Sequence, residues 1–279
     1  MPTWFVTGGS SGLGLEVAKA ALAAGDNVTV TSRDANRLKE LKDLGAHTIS
    51  LDITGPEEGI VKVVDEVHQK YGSIDVLLNN AGYILEGAVE EVSDAEAKEH
   101  FNVNVFAQLS VTRAVLPHMR KQKSGVIGNM GSIAGWEGGV GCGLYCASKF
   151  AVVGLSEALR EEVKSFGIQV VVIEPGYFRT NFLSAGHKVA AQKVIEELKP
   201  VVDPLRGIFA AYDHQQPGDP AKAGKVIVEA LTGKGPFAGK ELPPRLALGS
   251  DAFGFIGAVL EKEKKSLEEW KAVTMTTDH

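Results

Sequence analysis

The stretch TWFVTGGSSGLG, residues 3–14, joins a short apolar run to a glycine loop, and an apolar-periodic segment, 15–24, follows directly. This order predicts a buried strand, a tight turn and a helix. Gly8, Gly12 and Gly14 would let the backbone approach a phosphate group closely, and the free N–H groups at the helix start would favour its negative charge. Glycine also ends strands for purely structural reasons, so the loop alone leaves both interpretations open.

Beyond this stretch, strand and helix patterns alternate along the chain. Short apolar runs predict strands at 28–31, 74–78, 126–130 and 169–174. Apolar stripes at helical spacing lie between them, and Ser93 followed by acidic residues predicts the start of a long helical region. This alternation favours a parallel sheet that is covered on both faces.

A pair of side chains further along the chain could carry acid/base chemistry. Tyr145 and Lys149 are four residues apart and would share one face of a helix, and Ser132 lies thirteen residues before Tyr145. A phenol has an ordinary pKa of about 10, so its use near neutrality requires a nearby positive charge. Lys149 is placed to supply that charge. Taken alone, this spacing is also typical of an ordinary surface helix.

Four motifs occur in order: Thr7 to Gly14, then Asn79-Asn80-Ala81-Gly82, then Ser132 with Tyr145 and Lys149, then Pro175-Gly176 followed by Thr180. With these motifs the chain resembles the short-chain dehydrogenase/reductase family from about residue 3 to about residue 180. The resemblance implies an α/β fold of the Rossmann type, a doubly wound parallel sheet with helices on both faces. We expect a single domain over 1–279, a usual size for α/β folds.

The residues after the second predicted strand, Ser32-Arg33, indicate the preferred cofactor. An acidic residue there would hydrogen-bond the adenosine ribose, whereas a neutral residue followed by Arg suits a 2'-phosphate. In the family this pattern usually marks NADP(H), but Arg33 could instead be solvated or paired with Asp34, and Asp34 leaves room for NAD(H). By resemblance, the cofactor contacts are Gly8, Ser10, Ser11, Gly12, Leu13, Gly14, Ser32, Arg33, Asp52, Ile53, Asn79, Ala81, Gly82, Tyr145, Lys149, Pro175, Gly176, Phe178 and Thr180.

The resemblance also implies the catalytic roles. A carbonyl that is reduced needs a hydride donor on one side and an acid near its oxygen, where negative charge develops. Tyr145 would donate the proton, Ser132 would orient the oxygen, and Lys149 would hold the cofactor ribose and lower the Tyr145 pKa. Asn104 would support a water-linked proton path to Lys149, with Asn102 as the competing choice. The family often has Ser before the catalytic Ser, whereas this chain has Gly131.

The residues from about 181 to 216 resemble a small insertion that covers a substrate. They include Phe182, Leu183 and an amphipathic stretch at 189–198. The apolar content suggests a hydrophobic small-molecule substrate, although an interface or ordinary core would have the same content. Further pocket candidates are Trp136, Val140, Tyr177 and Phe178. A final strand and helix are expected within 247–258.

Composition narrows the functional classes. The net charge of −6 and the pI near 5.7 argue against a general nucleic-acid binder, which needs a basic face. No apolar run reaches the roughly 18 residues that a membrane span requires, and we expect a cytoplasmic protein. Cys142 and Cys146 are interpreted as free thiols, with no metal site, because no neighbouring ligands complete a set of four. Related proteins form dimers or tetramers, so a homo-oligomer is expected by analogy.

The leading hypothesis is an NADP(H)-dependent oxidoreductase that interconverts a ketone or aldehyde and an alcohol on a hydrophobic small molecule. Segments such as 80–83, 89–93 and 216–220 resemble the retinol- or steroid-dehydrogenase-like branch of the family. Two alternatives stay open. One is an enzyme of the same fold that catalyses isomerisation, elimination or imine reduction, and the other is a cofactor-sensing interaction protein without catalysis.

Overall fold

Strands and helices alternate along the chain in a computed structural model that describes residues 1–184 and 188–278. The strands are β1 (Thr3–Thr7), β2 (Asn27–Ser32), β3 (His47–Ser50), β4 (Val76–Asn79), β5 (Leu85–Glu86), β6 (Gly125–Met130), β7 (Ile168–Pro175), β8 (Val189–Ala190) and β9 (Arg245–Leu248). The α-helices are α1 (Gly12–Ala23), α2 (Lys39–Asp43), α3 (Glu57–Tyr71), α4 (Asp94–Phe101), α5 (Gln108–Gln122), α6 (Gly143–Val163), α7 (Lys199–Tyr212), α8 (Pro220–Leu231) and α9 (Ser250–Thr274).

Seven of these strands form one parallel sheet in the order β3-β2-β1-β4-β6-β7-β9. The chain leaves β1 towards β2 and β3 on one side and continues from β4 on the other, so the strand order reverses between β1 and β4. In open α/β sheets, ligands bind outside the carboxyl ends of the strands at such a reversal. The predicted doubly wound Rossmann-type sheet is confirmed.

The two faces of the sheet are buried under different helices, as the alternation of residues in β1 shows. Trp4 and Val6 are fully buried in a core cluster with residues of α1 and α8. Phe5, between them, is buried on the opposite face with residues of α3 and α5. Successive side chains of a strand point to opposite faces, so a strand that is buried on both sides is apolar throughout.

The long helical region predicted after Ser93 is present but is not one regular α-helix. The Ser93 side chain accepts a hydrogen bond from the Glu96 N–H, and the Glu96 carboxylate accepts one from the Ser93 N–H, which completes a capping box. Between α4 and α5, a π-helical turn spans Asn102–Ala107. Such turns widen a helix locally and often occur at functional sites.

The amphipathic stretch at 189–198 does not form a regular α-helix. That stretch contains β8, which pairs with β5, then irregular chain and a short 3₁₀ turn, and the helix α7 begins only at Lys199. The final strand and helix are found as β9 and α9, and α9 extends well beyond the expected end. Across residues 1–184 and 188–278, the helices lack the combination of length and apolar character needed to cross a membrane.

Candidate active site

The glycine loop after β1 is packed too tightly for side chains. Gly8 has a left-handed backbone with φ of 68°, and a Cβ there would lie 2.7 Å from Ala81 Cα. A Cβ on Gly14 would overlap Asn80 Nδ2 and lie 2.8 Å from the Gly8 carbonyl oxygen. Asn80 holds the loop by donating from Nδ2 to the carbonyl oxygens of Thr7 and Gly8, at 3.2 and 2.8 Å. The backbone is therefore fixed where a ligand can approach it closely.

The start of α1 provides unpaired N–H groups for an anion. Ser11 precedes the helix with an extended backbone, its side chain makes no capping hydrogen bond, and the first turn contains no acidic residue. The first N–H groups of a helix have no partner within it, and they attract phosphate. Thr180 lies beside this turn, 3.7 Å from the position of a Cβ on Gly12. The structure thus brings the predicted contacts Ser10 to Gly14 and Thr180 together.

Arg33, at the end of β2, is exposed and forms no salt bridge within residues 1–184 and 188–278. The alternative pairing with Asp34 is not seen, because the Asp34 carboxylate caps the next turn and accepts from the Asn36 N–H at 2.9 Å. Asp52 lies across from Arg33. Hydrogen bonds from Thr54 lower the pKa of Asp52, with a smaller contribution from the Arg33 charge. Ile53 is buried in the core.

Asn79, a predicted cofactor contact, uses the amide nitrogen of its side chain within the fold. Its side chain is buried, and Nδ2 donates to Thr112 Oγ1 at 2.9 Å and to Asn129 Oδ1 at 2.8 Å. These bonds join β4 to α5 and β6. Ala81 packs against the glycine loop, and Gly82 lies beside Asn104, so the following residues, and not Asn79, face the loop.

Ser132, Tyr145 and Lys149 converge as predicted. Ser132 follows β6, and its hydroxyl accepts from the Ala134 N–H at 3.1 Å, so it also caps a turn. Tyr145 is 7 % exposed and Lys149 is 6 % exposed on α6. Lys149 Nζ donates to the Met130 carbonyl oxygen at 2.7 Å and lies 5.7 Å from the centre of the Tyr145 ring.

Burial shifts the pKa values of these groups away from their ordinary range. The pKa of Tyr145 is raised, chiefly by burial, and hydrogen bonding with the Ser132 side chain opposes this shift. Burial lowers the pKa of Lys149 to about 8. Both shifts disfavour the charged form, as expected for groups removed from water. Without a ligand, the pair is therefore poised as a neutral phenol beside an amine that titrates near physiological pH.

Asn104, not Asn102, contacts the predicted site. Asn104 is buried in the π-helical turn, accepts from the Tyr83 N–H through Oδ1 at 3.1 Å and donates from Nδ2 to the Tyr83 carbonyl oxygen at 2.9 Å. The motif analysis missed His100, one turn earlier, whose Nε2 lies 3.3 Å from Asn104 Nδ2. The spacing of four residues within a helical region is the signal that could have found it.

An apolar cluster covers Tyr145. Its buried members are Ile84, Tyr145, Leu183 and Phe209, and Tyr177 packs against them. The Phe182 ring centre lies 6.2 Å from that of Tyr145. Two predicted pocket residues are not members of this cluster: Trp136 donates from its ring to Glu174 and packs against Arg245, and Val140 is exposed.

The loop after β7 carries the remaining predicted contacts. The Gly176 N–H donates to the Leu248 carbonyl oxygen at 2.9 Å, and the Tyr177 N–H donates to Asp251 Oδ2 at 2.7 Å. These bonds attach the loop that begins at Pro175 to β9 and α9. The ring of Phe178, a predicted cofactor contact, is partly buried and packs on the core cluster shared with α1 and α8.

Carboxylates on the segment after β4 fasten the cover, and the sequence did not reveal them. Buried Glu86 pairs with Lys188 Nζ at 2.6 Å and with Arg206 Nε at 2.9 Å. Buried Glu91 accepts from the Ile195 N–H at 3.0 Å, and Glu96 accepts from the Gln192 N–H at 2.9 Å. Residues 185–187 of the predicted cover, 181–216, lie outside the described part of the chain.

Cys142 and Cys146 are free thiols with their sulfur atoms 3.8 Å apart. Hydrogen bonding with Cys142 lowers the pKa of Cys146 to about 7, and the same contact together with burial raises the pKa of Cys142. In the described ranges, no three His, Cys, Asp or Glu side chains gather into a group that could hold a metal ion.

Comparison with known proteins gives consistent matches. The sequence profile of the family described as short chain dehydrogenase matches residues 2–190. Oxidoreductase BOA17 of Botryotinia fuckeliana is 35 % identical over 282 residues, which cover 98 % of each chain. A crystal structure of a short-chain dehydrogenase from Streptomyces avermitilis has 40 % identity and a TM-score of 0.90 over the whole of both chains. The structure of ElxO with NADP bound has 25 % identity and a TM-score of 0.72, covering 91 % of this chain and 99 % of that one.

Proposed function

This chain belongs to the short-chain dehydrogenase family, and on that basis we propose that it is an NADP(H)-dependent oxidoreductase that interconverts a ketone or aldehyde and an alcohol on a hydrophobic small molecule. The observation that carries the proposal is the convergence of Tyr145, Lys149 and the Ser132 hydroxyl under an apolar cover. A proton donor without water around it suits the protonation of an oxygen that becomes negatively charged.

The residues of the glycine loop fit a dinucleotide. The loop has no room for side chains at Gly8 and Gly14, and the start of α1 offers free N–H groups to the pyrophosphate. Ser10 to Leu13 would bind the pyrophosphate, and Ala81, Gly82 and Thr180 would line the rest of the cleft. When bound, the nicotinamide supplies or accepts the hydride.

The protein side of the reaction is a proton transfer at the Tyr145 hydroxyl. Ser132 orients the substrate oxygen, and Tyr145 donates a proton to it during reduction or accepts one during oxidation. The positive charge of Lys149 stabilises the phenolate that results. Because burial alone raises the Tyr145 pKa, a charged Lys149 has to counter that burial during turnover. Asn104, in the π-helical turn next to Gly82, is the fourth residue of the proposed catalytic set.

Arg33 supports the preference for NADP(H). Its guanidinium is exposed and has no ion-pair partner in the described ranges, so it can bind a 2'-phosphate in bidentate fashion. The carboxylate next to Arg33 in the chain, Asp34, which could hydrogen-bond an NAD(H) ribose, is already used as a helix cap. ElxO, whose structure contains NADP, is similar over most of the chain.

The test is a pair of fluorescence titrations with NADPH and NADH, repeated on Arg33→Ala and on a matched control, Arg37→Ala. Arg37 is also exposed and carries the same charge one turn along the chain. We expect NADPH to bind more tightly than NADH, and the Arg33 variant alone to lose about tenfold or more of NADPH affinity. Equal affinity for the two cofactors, or equal losses in the two variants, contradicts the proposal.

The substrate class follows from the cover, and its test is a substrate screen. Leu183, Phe209 and Tyr177 place apolar surface beside the Tyr145 hydroxyl. We expect net oxidation of NADPH with hydrophobic aldehydes or ketones and little with small charged ones. Turnover without net oxidation of the cofactor would favour the isomerase or lyase alternative, and no turnover at all would favour the sensor.

Location and assembly are proposed from the family alone. We place the protein in the cytoplasm and expect copies to associate through the helices that carry Asn104 and Tyr145. Phe106 and Phe150 on these helices are about half exposed, which is consistent with an interface there. Light scattering after size-exclusion chromatography tests the association, and a monomer at micromolar concentration would contradict it.

A further inference from the structure

His100 is a buried titratable group beside the active site that the proposed reaction does not use. It lies in the last turn of α4 and is fully buried. Its ring packs edge-on against the Tyr83 ring, with the ring centres 4.9 Å apart, and its centre lies 6.2 Å from that of Tyr145. The imidazole therefore occupies the interior space between the loop after β4 and the helix that carries Tyr145 and Lys149.

The hydrogen bonds around Asn104 decide the protonation of the imidazole. The Tyr83 backbone fixes the orientation of the Asn104 amide, because its N–H donates to Oδ1 and its carbonyl oxygen accepts from Nδ2. Nδ2 is thus the NH₂ group, and it lies 3.3 Å from His100 Nε2. A donor faces Nε2, so Nε2 has to accept and the ring proton has to be on Nδ1.

Packing alone does not account for this histidine. Within the described residues, His100 Nδ1 is buried and has no hydrogen-bond partner. A buried polar atom without a partner costs free energy, and an apolar side chain of similar volume would fill the same space without that cost. The imidazole is better explained by what Nε2 does for Asn104.

We propose that His100 is a positioning residue of the active site: its neutral ring accepts a hydrogen bond from Asn104 and holds the Asn104 amide between Tyr83 and Ser148. The Asn104 Nδ2 group has two hydrogens, and the one that does not go to the Tyr83 carbonyl oxygen is shared between His100 Nε2 and Ser148 Oγ, which lies at 3.4 Å. Ser148 Oγ in turn donates to the Tyr145 carbonyl oxygen at 2.7 Å. His100 thereby acts on the backbone that carries Tyr145 through two intermediate side chains. The inference rests on the proposed function, because the position of Asn104 affects turnover only if Tyr145 and Lys149 transfer protons.

The electrostatic environment keeps the ring neutral. Burial, and next the positive charge of Lys149, lower the pKa of His100 to about 4. Lys149 and Tyr145 on α6 and Tyr83 on the preceding loop are the titratable groups that face it. A protonated ring would lose the Nε2 acceptor and would repel the charged form of Lys149.

The kinetic test compares His100→Gln with His100→Leu. Gln places an amide oxygen near the position of Nε2 and can accept from Asn104, whereas Leu fills the space but accepts nothing. We expect Gln to retain kcat within about threefold, and Leu to lose about tenfold in kcat with an unchanged KM for NADPH, as a misplaced catalytic group does. Full activity in the Leu variant, or equal losses in two folded variants, overturns the proposal.

A second measurement needs no turnover and separates this inference from the proposed function. Protein labelled with ¹⁵N-histidine reports which ring nitrogen carries the proton, and the His100 signals are those lost in a His100 variant or shifted in Asn104→Asp. We expect the Nδ1–H form at pH 7, and a proton on Nε2 in Asn104→Asp, where a carboxylate replaces the donor. An Nε2–H form in the unmodified chain overturns the proposal. If the tautomer is as expected but no carbonyl is reduced, only the proposed function has failed.

Discussion

Two regions on either side of Tyr145 are held in place in different ways. The cofactor-side unit, residues 3–32, consists of β1, α1 and β2, and it is fixed by contacts of the backbone and of apolar side chains that allow no added atom at Gly8 or Gly14. The covering segment, residues 181–216, has few buried side chains among its described residues, 181–184 and 188–216, and is tied to the chain after β4 through Glu86, Glu91 and Glu96.

The difference follows from what each region has to do. A pyrophosphate site needs N–H groups at fixed positions, which close packing provides. A cover over a hydrophobic substrate has to open, and elements that move have fewer buried apolar contacts. Carboxylates bind the cover through ion pairs and by accepting hydrogen bonds from its backbone N–H groups. These contacts can hold the cover closed without burying it in the hydrophobic core.

The largest effect is expected at the point where the two regions meet. Tyr145→Phe removes the proton donor and leaves the packing of the ring with Ile84, Leu183 and Phe209 unchanged. We expect kcat to fall by about 10³-fold, while the NADPH dissociation constant and the melting temperature stay near those of the unmodified protein. Steady-state kinetics, a binding titration and thermal unfolding give the three values. Retained turnover would rule out the acid role of Tyr145.

Gly14→Ala should break the cofactor-side unit and spare the covering segment. The added methyl group meets Asn80 Nδ2 and the Gly8 carbonyl oxygen, which belong to the loop that binds the pyrophosphate. We expect a loss of about 1 to 3 kcal/mol in the free energy of unfolding, typical of overpacking. We also expect the NADPH dissociation constant to rise by about tenfold.

The matched control for this change is Gly59→Ala on α3, where no atom lies within 4 Å of the added Cβ. Alanine is the better helix former there and should stabilise the protein by up to about 1 kcal/mol. Urea unfolding measures both variants. A harmless Gly14→Ala would mean that the loop can move, contrary to its close packing.

Glu86→Gln should loosen the covering segment and spare the cofactor-side unit. Glu86 is buried, and its two carboxylate oxygens form ion pairs with Lys188 and Arg206. Breaking a fully buried ion pair costs about 3 to 5 kcal/mol, but both partners are partly exposed, so we expect about 1 to 3 kcal/mol. The KM for a hydrophobic substrate should rise by about threefold to tenfold, with no change in NADPH affinity.

Glu196→Gln is the control within the same segment, because its pair with Lys199 is exposed. It should change neither KM nor the free energy of unfolding by a measurable amount. Equal effects of the two substitutions would show that Glu86 is not what fastens the segment.

The same contrast explains how much of the fold could be predicted from the sequence. The cofactor-side unit is local: an apolar run, glycines at fixed spacing and a helical stripe identify it within thirty residues. The stretch 189–198 has a helical pattern too, but its N–H groups are taken by distant partners. The N–H groups of Val189 and Ala191 donate to the carbonyl oxygens of Ile84 and Glu86. Strand pairing between segments about a hundred residues apart leaves no signal in the local sequence. It can therefore override helix propensity without any sign of this in the stretch itself.

The site residues show the same difference between what the local sequence indicates and what depends on distant elements. Ser132, Tyr145 and Lys149 could be found because their spacing reflects one strand end and one helix face. Asn79 was predicted at the right strand end, but the direction of its side chain depends on Thr112 and Asn129, which belong to other elements. His100 was missed because a lone histidine in a helix is more often core than site, and only the geometry of Asn104 distinguishes the two.

The last expected effect, spread over more than two pH units, is a pH dependence of stability that shows which region keeps Lys149 away from water. Burial lowers its pKa to about 8 in the folded protein, from 10.5 for a free lysine. Between these values the unfolded chain binds more protons than the folded one, so this group raises the free energy of unfolding as pH increases from about 8 to 10.5. Below pH 8 the full free-energy cost of burying a charged Lys149 destabilises the folded state. The slope is at most about 1.4 kcal/mol per pH unit.

Urea unfolding of the cofactor-free protein at pH 7, 8, 9 and 10 measures this slope, as the difference from Lys149→Met. The difference is needed because Cys146, with a pKa lowered to about 7, titrates in an overlapping range, and its contribution is common to the two proteins. Lys149 donates to the Met130 carbonyl oxygen at the end of β6, so the sheet and not the cover holds it away from water. The Lys149-dependent slope should therefore persist when Glu86→Gln is introduced into both proteins. Loss of this slope in the Glu86→Gln proteins would mean that the covering segment excludes water from Lys149. The two regions would then be coupled more closely than their packing indicates.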